Sequence, residues 1–415
     1  MNILLVNPYA LAPDQPGGTR HFSLARALTA MGHSVVIAAG SFDHLTRTGS
    51  VPAGEPARRE TREGVAFIRL RTPGYRGNGA GRLWNMLAFA RAVGTVLPRY
   101  LGSWPDVVVG SSPHPFGARA AMGLARRLGV PFVLEIRDVW PRSLTEVMGV
   151  SPLHPIVWVL ERIERELYRG ADRIVTLLPK VARRVEERGG DPAGITWVPN
   201  GIDLAMIPPL DEPRDEGPFT VMYAGAHGVT NALDVLVDAA AILQERARLL
   251  PRRPALVLVG TGPEKPRLEA KARRLGLFNL TFRPPVPKRE IYGLLARADA
   301  FWASAADSDL WEHGISFNKL YDYMAMGRPT VLGVRCSTNP ILLSGGGLVV
   351  APGSAQAMAE GVERLLLAGP GGRRAMGAKA REFVEAHFDM RRLAQAFESA
   401  LLAAMGEGCG GAHAS

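Results

Sequence analysis

Short, almost continuously apolar segments alternate with segments of helical periodicity along nearly the whole chain. NILLVNPY opens the sequence, and after a Gly/Pro loop HFSLARALTAMGHSVVIAAG repeats apolar residues at helical spacing before a second Val/Ile run. PDVVVGS, VPFVLEIRD and ADRIVTLL continue the same alternation with further helical stretches between them. Because apolar strands separated by helices are typical of a parallel sheet covered on both faces, the pattern predicts an α/β fold.

The alternation is interrupted once and then restarts, which predicts two domains. LDEPRDEGPFT contains two prolines, a glycine and four acids, and TVMYAGAHG then begins a second series of strands and helices. The predicted organisation is two doubly wound, Rossmann-like domains, residues 1–199 and 200–388, which face each other across a cleft that holds the ligand. Residues 389–415 are predicted to form a helix that returns to the first domain, followed by a disordered tail, GEGCGGAHAS.

Charge and cysteine content leave several partners open. The net charge of +10 suits nucleic acid, anionic lipid or phosphorylated substrates, and an arginine-rich chain with abundant Ala, Gly and Pro is also what a GC-rich genome encodes. The two cysteines, Cys336 and Cys409, are far apart and have no His/Cys cluster nearby, which predicts neither a disulfide nor a zinc site. Without a signal peptide or a run of about 18 apolar residues, the protein is predicted to be cytoplasmic.

One window, residues 64–104, differs from the rest of the chain. It contains no acid and six arginines, together with aromatic residues that include Trp84 and Trp104. RLWNMLAFARAVGTVLPRYLG, inside this window, is apolar around much of its circumference. Such a helix suits an anionic membrane interface, with arginines at the lipid phosphates, but it also suits a buried helix with solvated arginine ends.

Three glycine-containing loops follow predicted strands. Gly17 and Gly18 lie between the first strand and a helix, where a pyrophosphate can approach the backbone. YAGAHG is the equivalent loop of the second half and offers Gly225 and His227, the latter either as a donor to phosphate or as a solvated side chain. GTGPEK is either a phosphate loop with Lys265 or a plain glycine turn, and it lacks the third glycine of a dinucleotide-binding loop.

Two acidic motifs are candidates for chemistry. RDVWP directly follows the strand VPFVLEI, so Arg137 and Asp138 lie at a carboxyl end, where α/β enzymes keep reactive groups, although Asp138 is equally a helix cap. DSD, residues 307–309, resembles a Mg²⁺-binding pair, but in the polar loop AADSDLWEHG aspartates are ordinary turn formers. The second interpretation is favoured, and no metal is predicted.

ISFNKLYDYMAMGRPTVLG combines three polar residues with a helix that is otherwise apolar. Ser316 is predicted to cap this helix, and Asn318, Lys319 and Asp322 occupy its first turns. A positive helix end with a lysine suits a diphosphate, and an aspartate one turn deeper suits a ribose. The alternative is a polar face in contact with solvent.

In this order and spacing, several segments resemble the GT-B glycosyltransferases of family 4. They are NILLVNPY with its GG loop, SLARALTAMGHSVVIAAG, ADRIVTLL, VPNGID, YAGAHG, LVLVGTGPEKPRLE, FRPPVPKREI and NKLYDYMAMGRPTV. RDVWP and NKLYDYMA have close counterparts in the branch that builds bacterial surface polysaccharides, including N-acetylfucosaminyl and related amino-sugar transferases. The resemblance implies a retaining hexosyl- or N-acetylhexosaminyltransferase that uses a nucleotide-sugar, with UDP favoured, and needs no permanently bound cofactor or metal.

The resemblance also implies roles for particular residues. Asp322 matches the acid that holds the ribose, whereas the family's first glutamate falls at Gly314, so that Glu312 either replaces it or the carboxylate is missing. Arg137 occupies the place of a frequent histidine, which leaves Asp138 as the residue that contacts or deprotonates the acceptor. Val286, in the segment FRPPVPKREI, is assigned to the nucleotide site.

The same resemblance supplies a mechanism and an acceptor. Lys319, Lys265, Gly18 and the amides near Ser316 would stabilise the departing diphosphate, whose oxygen would take the proton of the acceptor on the same face. The acceptor is expected to be lipid-linked or a saccharide, with the protein on the inner face of the membrane. Two other functions remain open, a nucleotide-sugar epimerase of this fold and a basic nucleic-acid-binding protein, although no basic and aromatic recognition module is visible.

Overall fold

The computed structural model describes residues 1–43, 47–77, 79–112, 114–147, 149–210 and 216–408. Contacts divide the chain into two compact units. The first unit comprises Met1–Ala12, Gly18–Pro199 and the segment that starts at Met390, and the second comprises Pro13–Gly17 and Asn200–Asp389. Pro13–Gly17, which the sequence places in the first domain, therefore packs with the second unit.

The first unit is built on a mostly parallel sheet. Its strands are β1 (Asn2–Val6), β2 (Ser34–Gly40), β3 (Phe42–Asp43), β4 (Thr48–Gly49), β5 (Ala57–Arg62), β6 (Val65–Leu70), β7 (Val107–Ser111), β8 (Phe132–Ile136), β9 (Arg173–Thr176) and β10 (Ile195–Trp197). Among the described residues, eight of them form one sheet in the order β10-β9-β8-β7-β1-β2-β6-β5, and β3 pairs with β4 in a separate hairpin. Only β5 of the eight runs antiparallel to its neighbour within these ranges.

Helices cover this sheet because each carries an apolar stripe. They are α1 (Arg20–Ala30), α2 (Ala80–Thr95), α3 (Pro115–Leu128), α4 (Pro155–Gly170) and α5 (Ala182–Glu187), with single turns at Leu97–Tyr100, Ser143–Val147 and Pro192–Gly194. In α1 the buried side chains include Phe22, Leu24 and Leu28, which pack with the β1 residues Ile3 and Leu5. Leu24 and Leu28, four positions apart, lie on one face of the helix.

The second unit repeats the plan. Its strands are β11 (Phe219–Ala224), β12 (Pro254–Val259), β13 (Leu280–Arg283), β14 (Ala300–Ser304), β15 (Thr330–Gly333) and β16 (Gly347–Val350). Its helices are α6 (Leu233–Arg246), α7 (Lys265–Arg274), α8 (Lys288–Leu295), α9 (Asn318–Ala325), α10 (Pro340–Ser344), α11 (Ala355–Leu367) and α12 (Gly369–His387), with shorter turns at Leu204–Met206, Val229–Asn231, Ala247–Leu249 and Asp309–His313. Within the described ranges the sheet order is β13-β12-β11-β14-β15-β16, all parallel.

The chain ends in the helix α13 (Met390–Gly408), whose residues Leu393, Phe397 and Leu401 join the core of the first unit. The sequence predicts that GEGCGGAHAS is a disordered tail, but α13 includes its first three residues. The packing of α13 against the first unit stabilises the helix up to this point. The rest of that tail, 409–415, and part of the predicted linker, 211–215, lie outside the described residues.

Each sheet has a point where the chain reverses its direction of travel across the strands. In the first unit this point lies between β1 and β7, and in the second unit between β11 and β14. Loops that leave the carboxyl ends of two such neighbouring strands diverge and leave a crevice for a ligand. The predicted α/β class with two doubly wound sheets is confirmed, and each unit has one crevice of this kind to examine.

Candidate active site

Two glycine loops of the second unit lie in direct contact. A Cβ atom at Gly260 would lie 2.0 Å from the carbonyl oxygen of Gly225, and one at Gly262 would lie 2.4 Å from that of His227. Gly260 and Gly262 also adopt φ angles of 141° and 159°. The glycines of GTGPEK are therefore required by the packing of the loop after β12 against the loop after β11.

Lys319, in the first turn of α9, reaches under the loop that follows β11. Its Nζ donates to the Asn231 side-chain oxygen and lies 4.8 Å from the Tyr223 ring centroid. Gly225 leaves room for it, since a Cβ there would approach Lys319 Cε to 3.0 Å. Desolvation lowers the pKa of Lys319 to about 7, because removal from water disfavours the charged form.

His227 lies near the same tyrosine, with 6.0 Å between the two ring centroids. It is fully buried, and neither ring nitrogen has a hydrogen-bond partner of normal geometry among the described residues. Burial and the nearby charges of Lys265 and Lys319 lower its pKa to about 4, which the main chain of Val259 only partly opposes. His227 is therefore a neutral, buried side chain rather than the solvated loop residue that the sequence left as an alternative.

Lys265 begins α7 and faces the ends of two strands. Its Nζ donates to the carbonyl oxygens of Gly260 and Arg283, each at 3.0 Å. These bonds satisfy carbonyl groups where β12 and β13 end. The ammonium group is thus engaged by the main chain, while its charge still acts on His227.

Asp322, one turn further along α9 from Lys319, is paired with a lysine. Lys288 Nζ lies 2.5 Å from Oδ1 and 2.6 Å from Oδ2 of this aspartate, and the Tyr292 hydroxyl donates to Oδ1 at 3.1 Å. The two charged side chains are only 11% and 12% exposed. The sequence did not single out Lys288, because a lysine at the start of a helix after PVP has no motif to mark it.

Ser316 is placed differently from the expectation. Phe317, rather than Ser316, is the N-cap of α9, and it makes no side-chain cap hydrogen bond. The Ser316 hydroxyl accepts from the Asn200 main-chain nitrogen at 2.8 Å, and its carbonyl oxygen accepts from the Asn200 side-chain amide. Ser316 therefore holds Asn200, which begins the longer segment of the second unit, while Asn318 lies partly exposed at the first position of the helix.

Val286 lines a cavity of about 710 Å³ in the second unit. The cavity is also lined by Arg283 and Pro284, and by residues of the segment 206–208. Tyr292, the hydrogen-bond partner of Asp322, is also among the lining residues. Tyr292 therefore links this cavity to Asp322, the residue expected to bind the ribose.

The acidic loop after β14 has a glycine at the place of the expected carboxylate and an exposed glutamate two residues before it. Gly314 has a φ of 104°, a conformation that disfavours any residue with a side chain, and the Glu312 side chain is 58% exposed beside His313. Asp307 pairs with Arg335 at 2.8 Å, which accounts for one aspartate of the DSD sequence. No group of three or more potential metal ligands occurs in the described part of the chain.

Arg137 and Asp138 follow directly on β8 in the first unit. The Arg137 main-chain nitrogen donates to the Ser112 hydroxyl at 3.2 Å, and Asp138 is exposed at its surface. The surrounding protein nevertheless raises the pKa of Asp138, and the charge of Arg137 opposes this effect. The next proline, Pro141, is joined to Trp140 by a cis peptide bond.

A buried polar cluster forms around Glu135, three residues before Asp138, and sequence reasoning missed it. Glu135 Oε2 is 2.7 Å from His21 Nε2 and 2.6 Å from the Ser111 hydroxyl, while Oε1 is 2.8 Å from Arg20 Nε. His21 Nδ1 is 2.9 Å from the Asn7 amide nitrogen. Asn7, Ser111 and Glu135 sit at or near the carboxyl ends of β1, β7 and β8, so the cluster occupies the crevice of this unit. The signal was the glutamate inside the apolar run VLEI.

Gly17 and Gly18 belong to different units. Gly17, with a φ of 133°, is grouped with the second unit, and Gly18 begins the longest segment of the first. Arg20, directly after this loop, donates to the carbonyl oxygens of Val198 and Pro199. Arg20, two residues after Gly18, therefore binds the main chain of the segment that ends at Pro199.

Part of the predicted membrane window is an exposed helix face. On α2, Trp84 is 64% and Leu87 39% exposed, and Arg91 follows on the same side, whereas Phe89 and Val93 are buried. Beyond the window, Trp158 on α4 is 69% exposed. None of the helices in the described ranges has the length and hydropathy that a membrane span requires.

Comparison with protein families assigns both halves of the chain. Residues 17–201 match the model described as "Glycosyl transferase 4-like domain", and residues 218–368 match "Glycosyl transferases group 1". The chain is also similar to a protein described as "Probable glycosyltransferase WbjE" from Pseudomonas aeruginosa, with 22% identity over 235 residues, or 48% of this chain. The match spans 56% of the length of that relative.

Solved structures resemble the fold over nearly its whole length. A sucrose-phosphate synthase from Thermosynechococcus elongatus aligns with a TM-score of 0.74 and 18% identity, over 96% of this chain and 97% of its own. Anabaena HepE, solved in complex with UDP and glucose, aligns with a TM-score of 0.67 and 16% identity, over 97% and 99% of the two chains. At these identities the likeness establishes the fold.

Proposed function

We propose that this chain, which belongs to the family 4 glycosyltransferases of the GT-B fold, is a retaining hexosyl- or N-acetylhexosaminyltransferase. It moves a sugar from a nucleoside diphosphate, UDP in the first place, to a lipid-linked or saccharide acceptor in the synthesis of a surface polysaccharide. The observation that carries this proposal is the pair formed by Lys319 and His227 around the Tyr223 ring, at the crevice of the second unit.

The proposed donor site rests on the interactions that Lys319 and His227 do not make within the protein. Lys319, whose pKa is lowered to about 7, and His227, whose ring nitrogens have no partner of normal hydrogen-bond geometry, are both left in a costly state by the described residues. A diphosphate supplies both missing interactions, since its oxygens accept from the imidazole N–H and its charge stabilises the ammonium form. Gly225 and Asn318 border this position and would offer main-chain and side-chain donors.

The reaction breaks the bond between the anomeric carbon and the diphosphate oxygen and forms a bond from that carbon to the acceptor oxygen. Negative charge grows on the departing diphosphate, so the cation of Lys319 stabilises the transition state more than the ground state. The proton of the acceptor hydroxyl passes to the departing phosphate oxygen, which balances the reaction without a metal. Lys265 and Gly18 support the same charge through the electrostatic field and the main chain.

The acceptor half of the proposal assigns Asp138 and Arg137. Asp138 is exposed at the carboxyl end of β8, where a carboxylate can meet the hydroxyl group of an acceptor. Arg137 stays charged and orients the acceptor, because a guanidinium does not exchange protons near neutral pH. The buried cluster around Glu135 holds the main chain from which both side chains project.

A membrane surface is the proposed location of the acceptor. The exposed side of α2 presents Trp84, Leu87 and Arg91, and residues 64–104 contain no acid to repel anionic lipid. The proposal places the protein on the cytoplasmic face of the membrane. In sedimentation with vesicles, binding should need anionic lipid and weaken with salt, and Trp84→Ala with Arg91→Ala should reduce it.

Thermal-shift measurements with UDP, GDP, ADP and dTDP test the donor site. A ligand that binds only the folded state raises the midpoint, and UDP is expected to give the largest shift. Asp322→Ala should reduce the shift by UDP, whereas Lys379→Ala, on the exposed side of α12, should not. The proposal would be contradicted if no nucleotide changed the midpoint of thermal unfolding. It would also be contradicted if the protein epimerised the donor sugar in the absence of an acceptor.

A further inference from the structure

The aspartate assigned to the ribose is not available as a bare carboxylate. Asp322 accepts hydrogen bonds from Lys288 on both of its oxygens and a third from Tyr292. A carboxylate offers about four acceptor positions, so one position is left. An ammonium group has three N–H donors, and two of those of Lys288 point to Asp322.

Lys288 is held at this place by its main chain as well. It is the first residue of α8, and its amide donates to the carbonyl oxygen of Gln15 at 3.2 Å, while the Arg289 amide donates to that of Pro13 at 3.2 Å. The segment Pro13–Gly17 thus fills the start of α8 and belongs to the same unit as Lys288. A residue fixed through both main chain and side chain loses little conformational entropy when a ligand binds.

A ribose diol is complementary to the hydrogen-bonding positions that remain on Asp322 and Lys288. Each of its two hydroxyl groups both donates and accepts, and the pair offers one free acceptor position on Asp322 and one free N–H on Lys288. A lone carboxylate offers only acceptors. The Lys288 charge also offsets the desolvation cost of the Asp322 side chain, which is only 12% exposed.

We propose that Lys288 is a specificity residue of the donor site and that it recognises the ribose diol jointly with Asp322, so that ribonucleotide donors are selected over deoxyribonucleotide donors. The inference rests on the proposed function, which places a nucleoside diphosphate at this site. Lys288 acts by direct donation to one ribose hydroxyl and by fixing the carboxylate that accepts from the other.

Calorimetric titration with UDP, 2′-deoxy-UDP and 3′-deoxy-UDP tests the inference. The wild-type protein is expected to bind UDP about tenfold or more tightly than either analogue, since each analogue leaves one group of the pair unmatched. Lys288→Met should weaken UDP binding by about tenfold or more and weaken at least one analogue far less, so that the preference for that hydroxyl disappears. Lys288→Gln keeps one hydrogen bond to Asp322 and serves if the methionine variant does not fold.

Lys271→Met is the matched control. Lys271 forms a similar pair with Asp238, at 2.7 Å and with 18% exposure of the lysine, between α7 and α6. This variant should leave all three affinities unchanged. The inference would be overturned if Lys288→Met kept the wild-type ratio between the affinity for UDP and the affinities for both analogues. It would also be overturned if this variant bound UDP more tightly than the wild type, since that result would show that Lys288 fills the ribose position. A wild-type protein that binds no nucleoside diphosphate would instead overturn the proposed function.

Discussion

Arg20 and Glu135 form a salt bridge of 2.8 Å, and each side chain is only 1% exposed. Burial alone would raise the pKa of Glu135, but the charges and hydrogen bonds of His21 and Arg20 hold it well below its usual range. The pair joins the first residue of α1 to the strand that leads into Arg137 and Asp138. It therefore connects α1 to the end of β8 within the first unit.

Replacing one partner of this pair should destabilise the first unit strongly. Arg20→Met leaves a buried carboxylate with less compensating charge, and we expect a loss of about 3 to 5 kcal/mol in the free energy of unfolding, measured by urea denaturation. The double variant Arg20→Met with Glu135→Gln removes both charges and should lose less than the sum of the single changes. Strict additivity would show that the two residues do not act as a pair.

Lys319→Ala should abolish most of the turnover with little change in the fold. The proposed role is to stabilise charge on the leaving diphosphate, and the loss of such a group typically costs about 100- to 1,000-fold in kcat. Initial rates with a UDP-sugar and circular dichroism of the variant are the measurements. A kcat/KM close to that of wild type would remove Lys319 from the reaction, and Lys379→Ala provides the comparison for a remote lysine.

Donor binding should take up a proton near neutral pH. The pKa of Lys319 is about 7 without ligand, and a diphosphate beside it raises the pKa, so a largely neutral amine at pH 8 becomes an ammonium group in the complex. The affinity for UDP-N-acetylglucosamine should therefore fall as the pH rises from 7 to 9. Calorimetry in buffers of different ionisation enthalpy measures the uptake, which should vanish in Lys319→Ala.

The α/β class and the two sheets could be predicted because buried parallel strands leave an unmistakable trace of apolar residues, as in NILLV and FVLEI. His227 and Gly225 could be selected because they follow a strand, and Lys319 because it lies at the start of a helix beside other polar residues. Such predictions use only local sequence and strand order. They do not depend on which side chains meet across the fold.

The remaining features depend on contacts between residues far apart in the sequence. Arg20 is 115 positions from Glu135, and Lys288 is 34 positions from Asp322, so no local pattern reveals either pair. Ser316 was expected to cap α9, but its hydroxyl binds Asn200, 116 positions away. A polar residue can satisfy the same hydrogen bond locally or at long range, and sequence spacing alone does not distinguish the two.

Gly314 should resist substitution because of its backbone. At a φ of 104° a residue with a Cβ is strained, so Gly314→Ala is expected to lower the free energy of unfolding by about 1 to 3 kcal/mol. Gly123→Ala is the control, since Gly123 lies within α3 with open space around it and should gain about 0.5 to 1 kcal/mol. If Gly314→Ala were neutral, strain would not explain the glycine at the place of the expected glutamate.

The stability of the first unit should fall in mild acid because of His114. This residue caps α3, where its Nδ1 accepts from the Gly117 amide at 3.3 Å, and it is fully buried. Desolvation, with the nearby charge of Arg82, lowers its pKa to about 3 from 6.5. Between these two values the unfolded chain binds a proton that the folded chain does not, so the free energy of unfolding decreases as the pH falls through this range.

From pH 7 to pH 5 this histidine alone should account for a loss of about 2 kcal/mol in the free energy of unfolding. The reason is that its pKa in the unfolded chain, 6.5, lies within this pH range, whereas its pKa in the folded chain, about 3, lies below it. His114→Asn keeps a good N-cap and removes the titration, so its stability should depend less on pH by that amount. His154→Asn is the matched control, because His154 caps α4 in the same way but is exposed. Urea denaturation of the three proteins at both pH values measures the difference, and equal pH dependence in wild type and His114→Asn would show that the buried imidazole does not resist protonation.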